Sequence, residues 1–195
     1  MKELLNEKIP VTGRTDLDII KEIVSAMIPG SLTVVGGRPG EGKTEFACCL
    51  ADIISHLGKK SVLFALGESR EILLKRFKPD DEMLEHNLFI DDTCHLTVSL
   101  MEQRIQALGG VDCVIIDYLG LISPDAKVPK RSEEVTQITA GLKALAVEYD
   151  IPVVCFAQLS IDTKGNPVFR ESKAIVTDSD NVITLGRMWQ KTAIF

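Results

Sequence analysis

No uncharged apolar run in the 195 residues approaches the roughly 18 that a membrane-spanning helix requires. Residues 1–10 alternate charged with apolar side chains and carry no secretory h-region, so the expected location is the cytoplasm, with no membrane partner. A basic excess is also missing: 22 Lys and Arg stand against 28 Asp and Glu, giving a net charge of −6. That excludes a whole-chain electrostatic footprint for nucleic acid, and any such contact must be local. The five cysteines, Cys48, Cys49, Cys94, Cys113 and Cys155, form no C-x-x-C pair, and His56, His86 and His95 form no H-x-x-x-H pair. The common zinc patterns are therefore absent, and an odd count without a signal peptide points to reduced thiols. Cys94 and His95 are adjacent and diverge, whereas the other four cysteines lie in apolar stretches and read as small core hydrophobes.

What is present is 45% hydrophobic and 26% charged, the balance of a chain that buries a sizeable core as one globular domain over residues 1–195. There is no internal repeat, low-complexity tract or composition shift. Apolar runs of strand length alternate with stretches of helical period, which predicts an α/β fold with a mostly parallel central sheet flanked by helices. The expected strands are Leu32-Thr-Val-Val35, Ser61-Val-Leu-Phe-Ala-Leu66, Cys113-Val-Ile-Ile116, Val153-Val-Cys-Phe-Ala157 and Asn181-Val-Ile-Thr-Leu185. Phe46, Cys49, Leu50, Ile53, Ile54 and Leu57 form the apolar stripe of a helix running from Glu45 to Gly58. A second helix reads as capped by Ser99, with Glu102 completing a capping box, and stops at Gly109-Gly110. A third begins after Ser132, buries Val135, Ile138, Leu142, Leu145 and Tyr149, and ends at Asp150-Ile-Pro152. Residues 123–131 and 161–167 read as exposed loops.

The chemistry concentrates at Gly37-Arg-Pro-Gly-Glu-Gly-Lys-Thr44, which satisfies G-x-x-x-x-G-K-[ST] between a strand and the helix from Glu45. Gly37, Arg38, Pro39, Gly40, Glu41, Gly42, Lys43, Thr44 and Glu45 would together cradle the phosphates, because loop N–H groups and a helix N-terminus form an anion site. In that geometry Lys43 reaches the β- and γ-phosphates and the Thr44 hydroxyl coordinates Mg²⁺. A metal also needs an acid at a neighbouring strand end, and Cys113-Val-Ile-Ile-Asp-Tyr118 supplies Asp117. Glu68 stands just past the strand 61–66; it reads equally as the group that orients the attacking water or as first-turn electrostatics of a helix capped by Ser69. Gln158 ends another strand, where it would either sense the γ-phosphate or simply close the strand.

These blocks, in this order, resemble the RecA-like ATPase domain of DnaB-type replicative DNA helicases along nearly the whole chain. Thr15-Asp-Leu-Asp18, Pro29-Gly-Ser-Leu-Thr-Val-Val35 and residues 37–44 are similar to that family's F-T-D-L-D, P-G-D-L-T-V-V and A-R-P-G-M-G-K-T. Val62-Leu-Phe-Ala-Leu-Gly-Glu68 resembles V-L-F-F-S-L-E, which implies that Glu68 is the catalytic glutamate. Asp112-Cys-Val-Ile-Ile-Asp-Tyr-Leu-Gly-Leu-Ile122, residues 132–139, Leu142-Lys-Ala-Leu-Ala146, Gln158-Leu-Ser160 and the stretch from Arg170-Glu-Ser172 to Asp178-Ser-Asp180 match further blocks.

The resemblance implies a RecA-like P-loop NTPase that uses ATP and Mg²⁺, with Lys43, Glu68 and Gln158 catalytic and Thr44 and Asp117 on the metal. It also implies a homo-hexameric ring, other replication proteins as partners, and single-stranded DNA held by two central loops, residues 124–131 and 161–168. The DNA contacts would be Lys127, Lys130, Arg131 and Lys164, too few for more than weak binding by the isolated chain. Three departures stand out: Gly67 replaces a leucine, the second loop keeps only Lys164 as a cation, and no Lys-x-Arg follows residues 186–191. The family's N-terminal domain and the end of its ATPase domain are expected to lie outside these residues. The departures keep open a second reading, a regulatory or loader-like module that binds ATP and a protein partner without unwinding DNA.

Overall fold

The computed structural model describes residues 14–77, 81–163, 167–169 and 173–185. Lys164, the block 170–172 and residues 186–191 lie outside the described residues, as does the charged stretch 1–10. Strands β1 (Leu32–Gly37), β2 (Ser61–Ala65), β3 (Leu88–Asp91), β4 (Cys113–Asp117), β5 (Val153–Gln158) and β8 (Asn181–Thr184) form one sheet in the order β3-β2-β4-β5-β1-β8. Every pairing in it is parallel. Helices α1 (Arg14–Ala26), α2 (Lys43–His56), α3 (Arg70–Leu74), α4 (Glu82–Asn87), α5 (Val98–Ala107), α6 (Arg131–Tyr149) and α7 (Ala174–Thr177) connect the strands. None of the described helices is long and apolar enough to cross a membrane.

The continuous hydrophobicity of the strands follows from helices on both faces of a parallel sheet. Val34, Val62, Phe64, Val114, Ile116, Val153 and Cys155 point to one core, completed by Met101 and Ile105 of α5 and Val135, Ile138, Leu142 and Leu145 of α6. Their neighbours Val35, Leu63, Ile115, Val154 and Phe156 point to the opposite core, completed by Ala47, Cys48, Leu50, Ala51 and Ile54 of α2 and Ile23 of α1. All five expected strands are present. The sixth, β3, is only four half-buried residues at the sheet edge and follows α4 without a break, so its apolar run, Leu88-Phe89-Ile90, is too short to stand out as a strand.

Several boundaries differ from expectation. The side chain capping α5 is Thr97, which accepts the Leu100 N–H, so Ser99 sits inside the first turn and the predicted capping box does not form. Helix α6 starts at Arg131, two residues earlier than expected, and Glu133 and Glu134 lie in its first turn as the sequence implied. The buried stripe of α2 is rotated: Ala47, Cys48 and Ala51 meet the sheet, Phe46, Cys49 and Ile53 pack under Ile20 of α1, and Leu57 is exposed. Leu50 and Ile54 of the expected stripe stay in the sheet-facing core, joined there by the small Ala47, Cys48 and Ala51. Within residues 161–167, the ends of the expected loop pair as an antiparallel hairpin, β6 (Ser160–Ile161) with β7 (Pro167–Val168).

One structural cluster holds the chain near the start of β1. The Asp180 carboxylate accepts the Leu32 N–H at 2.7 Å and the Lys143 ammonium at 2.7 and 2.9 Å, while Asp178 accepts the buried Thr139 hydroxyl at 2.5 Å. Residues 178–180 thus tie β8 to α6 and β1, a packing role at the end of the sheet opposite the glycine-rich loop.

Candidate functional site

Strand β1 ends at Gly37, and the chain turns through residues 38–42 into α2. Gly42 is the N-cap residue at φ 78°, a left-handed conformation that a residue with Cβ adopts only at a cost, and no side chain caps the helix. The first-turn N–H groups of α2 are left for an anion. Two side chains of the expected cradle instead brace the loop. Glu41 accepts the Arg38 backbone N–H at 2.6 Å and the Arg38 Nε at 2.8 Å. Lys43 folds back over the loop, its Nζ donating to the Gly37 and Arg38 carbonyls at 3.2 and 3.1 Å and lying 6.0 Å from the Tyr118 ring centroid. Burial lowers the Lys43 ammonium from its ordinary range, opposed by the charges of Asp117 and Glu41.

The parallel sheet delivers the other candidates to the same edge. Asp117 is the last residue of β4, in register with Ala65 of β2, and the Leu66 N–H donates to its carbonyl at 2.8 Å, which places Glu68 just beyond. Gly40, Gly42, Lys43, Thr44, Glu45, Gly67, Glu68, Asp117 and Tyr118 line one cavity of about 300 Å³. Asp117 is 6% exposed; burial raises its carboxyl, and the Thr44 hydroxyl that hydrogen-bonds to it, together with Lys43, pulls the other way. Gly67 has no special backbone conformation, and Leu121 lies 3.4 Å from where its Cβ would stand. Gln158 is exposed at the end of β5, paired in register with Gly37. The next residue, Leu159, donates its N–H to the Gly37 carbonyl at 3.0 Å, so the root of the β6–β7 hairpin is bonded directly to the start of the glycine-rich loop.

Glu68 is not open to solvent on all sides. The Arg76 Nη2 donates to both of its carboxylate oxygens, at 3.0 and 2.9 Å, and the Arg76 Nη1 donates to Glu45. The Glu68 hydrogen bond raises the Arg76 guanidinium above its already high value, against a smaller loss from burial. Sequence reasoning passed over Arg76; the available signal was an arginine within one short helix of Glu68.

The cations assigned to DNA are less uniform than the sequence implied. Lys127 and Lys130 are exposed in the loop before α6, with Lys130 3.8 Å from Glu133. Arg131 is drawn back onto its own surroundings, donating to Glu134 and to the Gly120 carbonyl, each at 2.9 Å.

Comparison with known proteins gives this arrangement its relatives. The family model of the DnaB-like helicase C-terminal domain matches residues 78–193, more than half of the chain. The chain belongs to that family. It is 30% identical over 216 residues to the replicative DNA helicase DnaB of Haemophilus influenzae, covering 90% of this chain and 46% of the relative. It is 29% identical over 214 residues to that of Geobacillus stearothermophilus, with the same coverage. This DnaB-like chain therefore spans just under half the length of these relatives. Two solved structures share the RecA-like fold. The ATPase domain of G40P superposes with a TM-score of 0.73 at 21% identity, over 92% of this chain and 84% of that one. A DnaB-like replicative helicase, described with its primase interactions, gives 0.73 at 22% identity, over 86% and 50%.

Proposed function

We propose that this chain is the ATP-binding and ATP-hydrolysing domain of a DnaB-like replicative DNA helicase, coupling hydrolysis to movement along single-stranded DNA when assembled. The observation that carries this reading is the convergence of Lys43, Thr44, Asp117 and Glu68 on one cavity at the carboxyl edge of β1, β2 and β4. Ligands of open parallel sheets bind at that edge. The donor set suits Mg²⁺, because Thr44 and Asp117 present a hydroxyl and a carboxylate already hydrogen-bonded to each other, hard oxygen ligands for a hard cation. Bound there, the metal would supply charge neutralisation of the phosphates.

The chain's own residues then have distinct tasks. The backbone N–H groups of residues 40–45 and the Lys43 ammonium bind the phosphate oxygens, which requires Lys43 to exchange its two carbonyl acceptors for phosphate. Glu68 orients the attacking water and accepts its proton as the bond to the β–γ bridging oxygen breaks, leaving ADP and phosphate. Gln158, bonded through its neighbour to Gly37, would report the γ-phosphate to the β6–β7 hairpin. Lys127, Lys130, Arg131 and Lys164 would meet DNA phosphates, with a homo-hexamer repeating them around one channel. A replication protein is the expected class of further partner, since one structural relative is described with primase.

The test is an ATPase assay with and without single-stranded oligonucleotide, run beside sedimentation of the same sample. In Glu68→Gln, turnover falls about a hundredfold while nucleotide affinity holds, because the amide cannot take the water proton. Parental turnover in that variant would remove Glu68 from the role and make the exposed Glu71 the next residue to test. Nucleotide binding by the parent protein without turnover in any assembly would support the loader-like reading instead.

A further inference from the structure

The end of α2 remote from the glycine-rich loop carries a second cluster of ligating groups. Asp52 and His56 stand one turn apart on that helix and Asp81 is the N-cap of α4, and one donor atom from each lies within 4.8 Å of the other two. The His56 Nδ1 is 2.8 Å from the Asp52 backbone carbonyl, which can only accept, so Nδ1 carries the ring proton. The Nε2 lone pair then faces an Asp81 carboxylate oxygen at 3.2 Å, a second acceptor. A neutral imidazole has no proton left for that contact, so a positive species belongs between the two. The other Asp81 oxygen accepts the Met83 N–H at 3.2 Å, and Asn87 donates to the Ser55 carbonyl at 3.1 Å, so α4 is tied to the last turn of α2 from both of its ends.

We propose that Asp52, His56 and Asp81 form a site for a divalent transition metal of the zinc class, which clasps α4 to the end of α2. A proton would bridge Nε2 and Asp81 alone, and three features favour a metal over it. The 3.2 Å separation matches the distance of about 3.3 Å between two ligands that each stand roughly 2.0 Å from a tetrahedral ion. Two carboxylates beside a neutral ring leave a double negative charge, which a divalent cation cancels and one proton only halves. Both facing ligands already have the outer contacts that orient metal ligands, Nδ1 on a backbone carbonyl and Asp81 on a backbone N–H. Asp52, the most exposed of the three side chains at 30%, has a carboxylate oxygen 3.5 Å from Nδ1 and reaches the ion by turning across the helix face. The imidazole selects zinc-class ions, because Mg²⁺ and Ca²⁺ prefer oxygen ligands alone. Helix α2 is 14 residues long, so about 20 Å separates this ion from the glycine-rich loop and from the Mg²⁺ proposed there. Since α4 runs straight into β3, the clasp also holds the edge strand of the sheet.

Calorimetric titration of the metal-free full chain with Zn²⁺, in excess Mg²⁺ and without nucleotide, tests this, and Co²⁺ in place of Zn²⁺ reports the ligand geometry through its visible absorption. The parent protein binds one Zn²⁺ with a dissociation constant on the order of 10⁻⁶ M, melts at a higher temperature with it, and gives the strong visible bands of four-coordinate cobalt. His56→Gln and Asp81→Asn each lose at least about tenfold in Zn²⁺ affinity, and the cobalt bands with it. Asp52→Asn, at the most exposed of the three positions, loses a smaller factor and decides the matter if His56→Gln does not fold. Cys94→Ser removes an exposed thiol and changes neither affinity nor spectrum. A parent protein that takes up no Zn²⁺ would overturn the proposal and leave a proton between Nε2 and Asp81. Parental affinity in folded His56→Gln, or in Asp52→Asn where that variant decides, would also overturn it, as would a loss in Cys94→Ser, which would place the metal on thiols.

Discussion

At the scale of single residues, Lys43 and Asp117 show how function is held against the preference of the isolated fold. Among the described residues Lys43 is partly desolvated yet hydrogen-bonded only to loop carbonyls, so its removal deletes the proposed phosphate cation without opening the core. Lys43→Ala is expected to lose about a hundredfold in Mg²⁺-ATP affinity by calorimetry, with an unchanged far-UV circular dichroism spectrum. Asp117 is the opposite case. Burial raises its carboxyl, so keeping it ionised at neutral pH costs stability that the Thr44 hydroxyl and the Lys43 charge only partly return. Asp117→Asn should therefore melt no lower than the parent, or higher by about 1 kcal/mol of stability, while Mg²⁺-dependent hydrolysis is lost. A marked fall in stability would show that the carboxylate is structural. That Lys43, Thr44 and Asp117 would meet in one cavity was legible in sequence, the first two from the glycine-lysine spacing and Asp117 from its place at the end of an apolar strand. Arg76 was not legible, because its partners Glu45 and Glu68 lie 31 and 8 residues away and only the fold brings both to one guanidinium.

At the scale of elements, the apolar periods identified the main strands and the helices, while ends were decided by local bonds. Thr97, not Ser99, satisfies an early N–H of α5, since the backbone is extended at Thr97 and already helical at Ser99. Thr97→Ala should cost about 1 kcal/mol in chemical denaturation and Ser99→Ala close to nothing; the reverse order would restore the predicted cap. Helix α6 ends at Asp150, whose left-handed φ of 52° turns the chain toward Pro152. The tether at Asp180 gives an element-scale pH dependence. Burial alone would raise its carboxyl, but the Lys143 ammonium and the Leu32 N–H outweigh burial and hold it below the ordinary carboxylate range. Its contribution to stability is present above the unfolded value, near 4, and is lost as pH falls through the lower folded value. Asp180→Asn should weaken the protein at neutral pH and flatten the acid limb of its pH–stability curve; an acid limb of unchanged steepness would move that proton uptake elsewhere.

At the scale of the whole molecule, the charge of −6 and the ion pairs around Arg131 limit what one copy can offer to DNA. The isolated chain is expected to bind single-stranded oligonucleotide only on the non-specific scale of about 10⁻⁴ to 10⁻⁶ M, with affinity falling steeply as salt rises. Fluorescence anisotropy at two salt concentrations, with sedimentation on the same sample, checks this. Tight, salt-insensitive binding by a monomer would place the DNA site away from residues 124–131. The sequence by itself determined the α/β class, five of the six strands of the described central sheet and the glycine-rich loop, because apolar period and glycine-lysine spacing are local properties of a chain. Only the tertiary structure decided that β3 closes the sheet edge, that Asp178 and Asp180 are tethers, and that Arg76 bridges Glu45 and Glu68. Each of those depends on pairing between segments far apart in sequence, where a four-residue strand or a lone charge has no signature until its partner is in place.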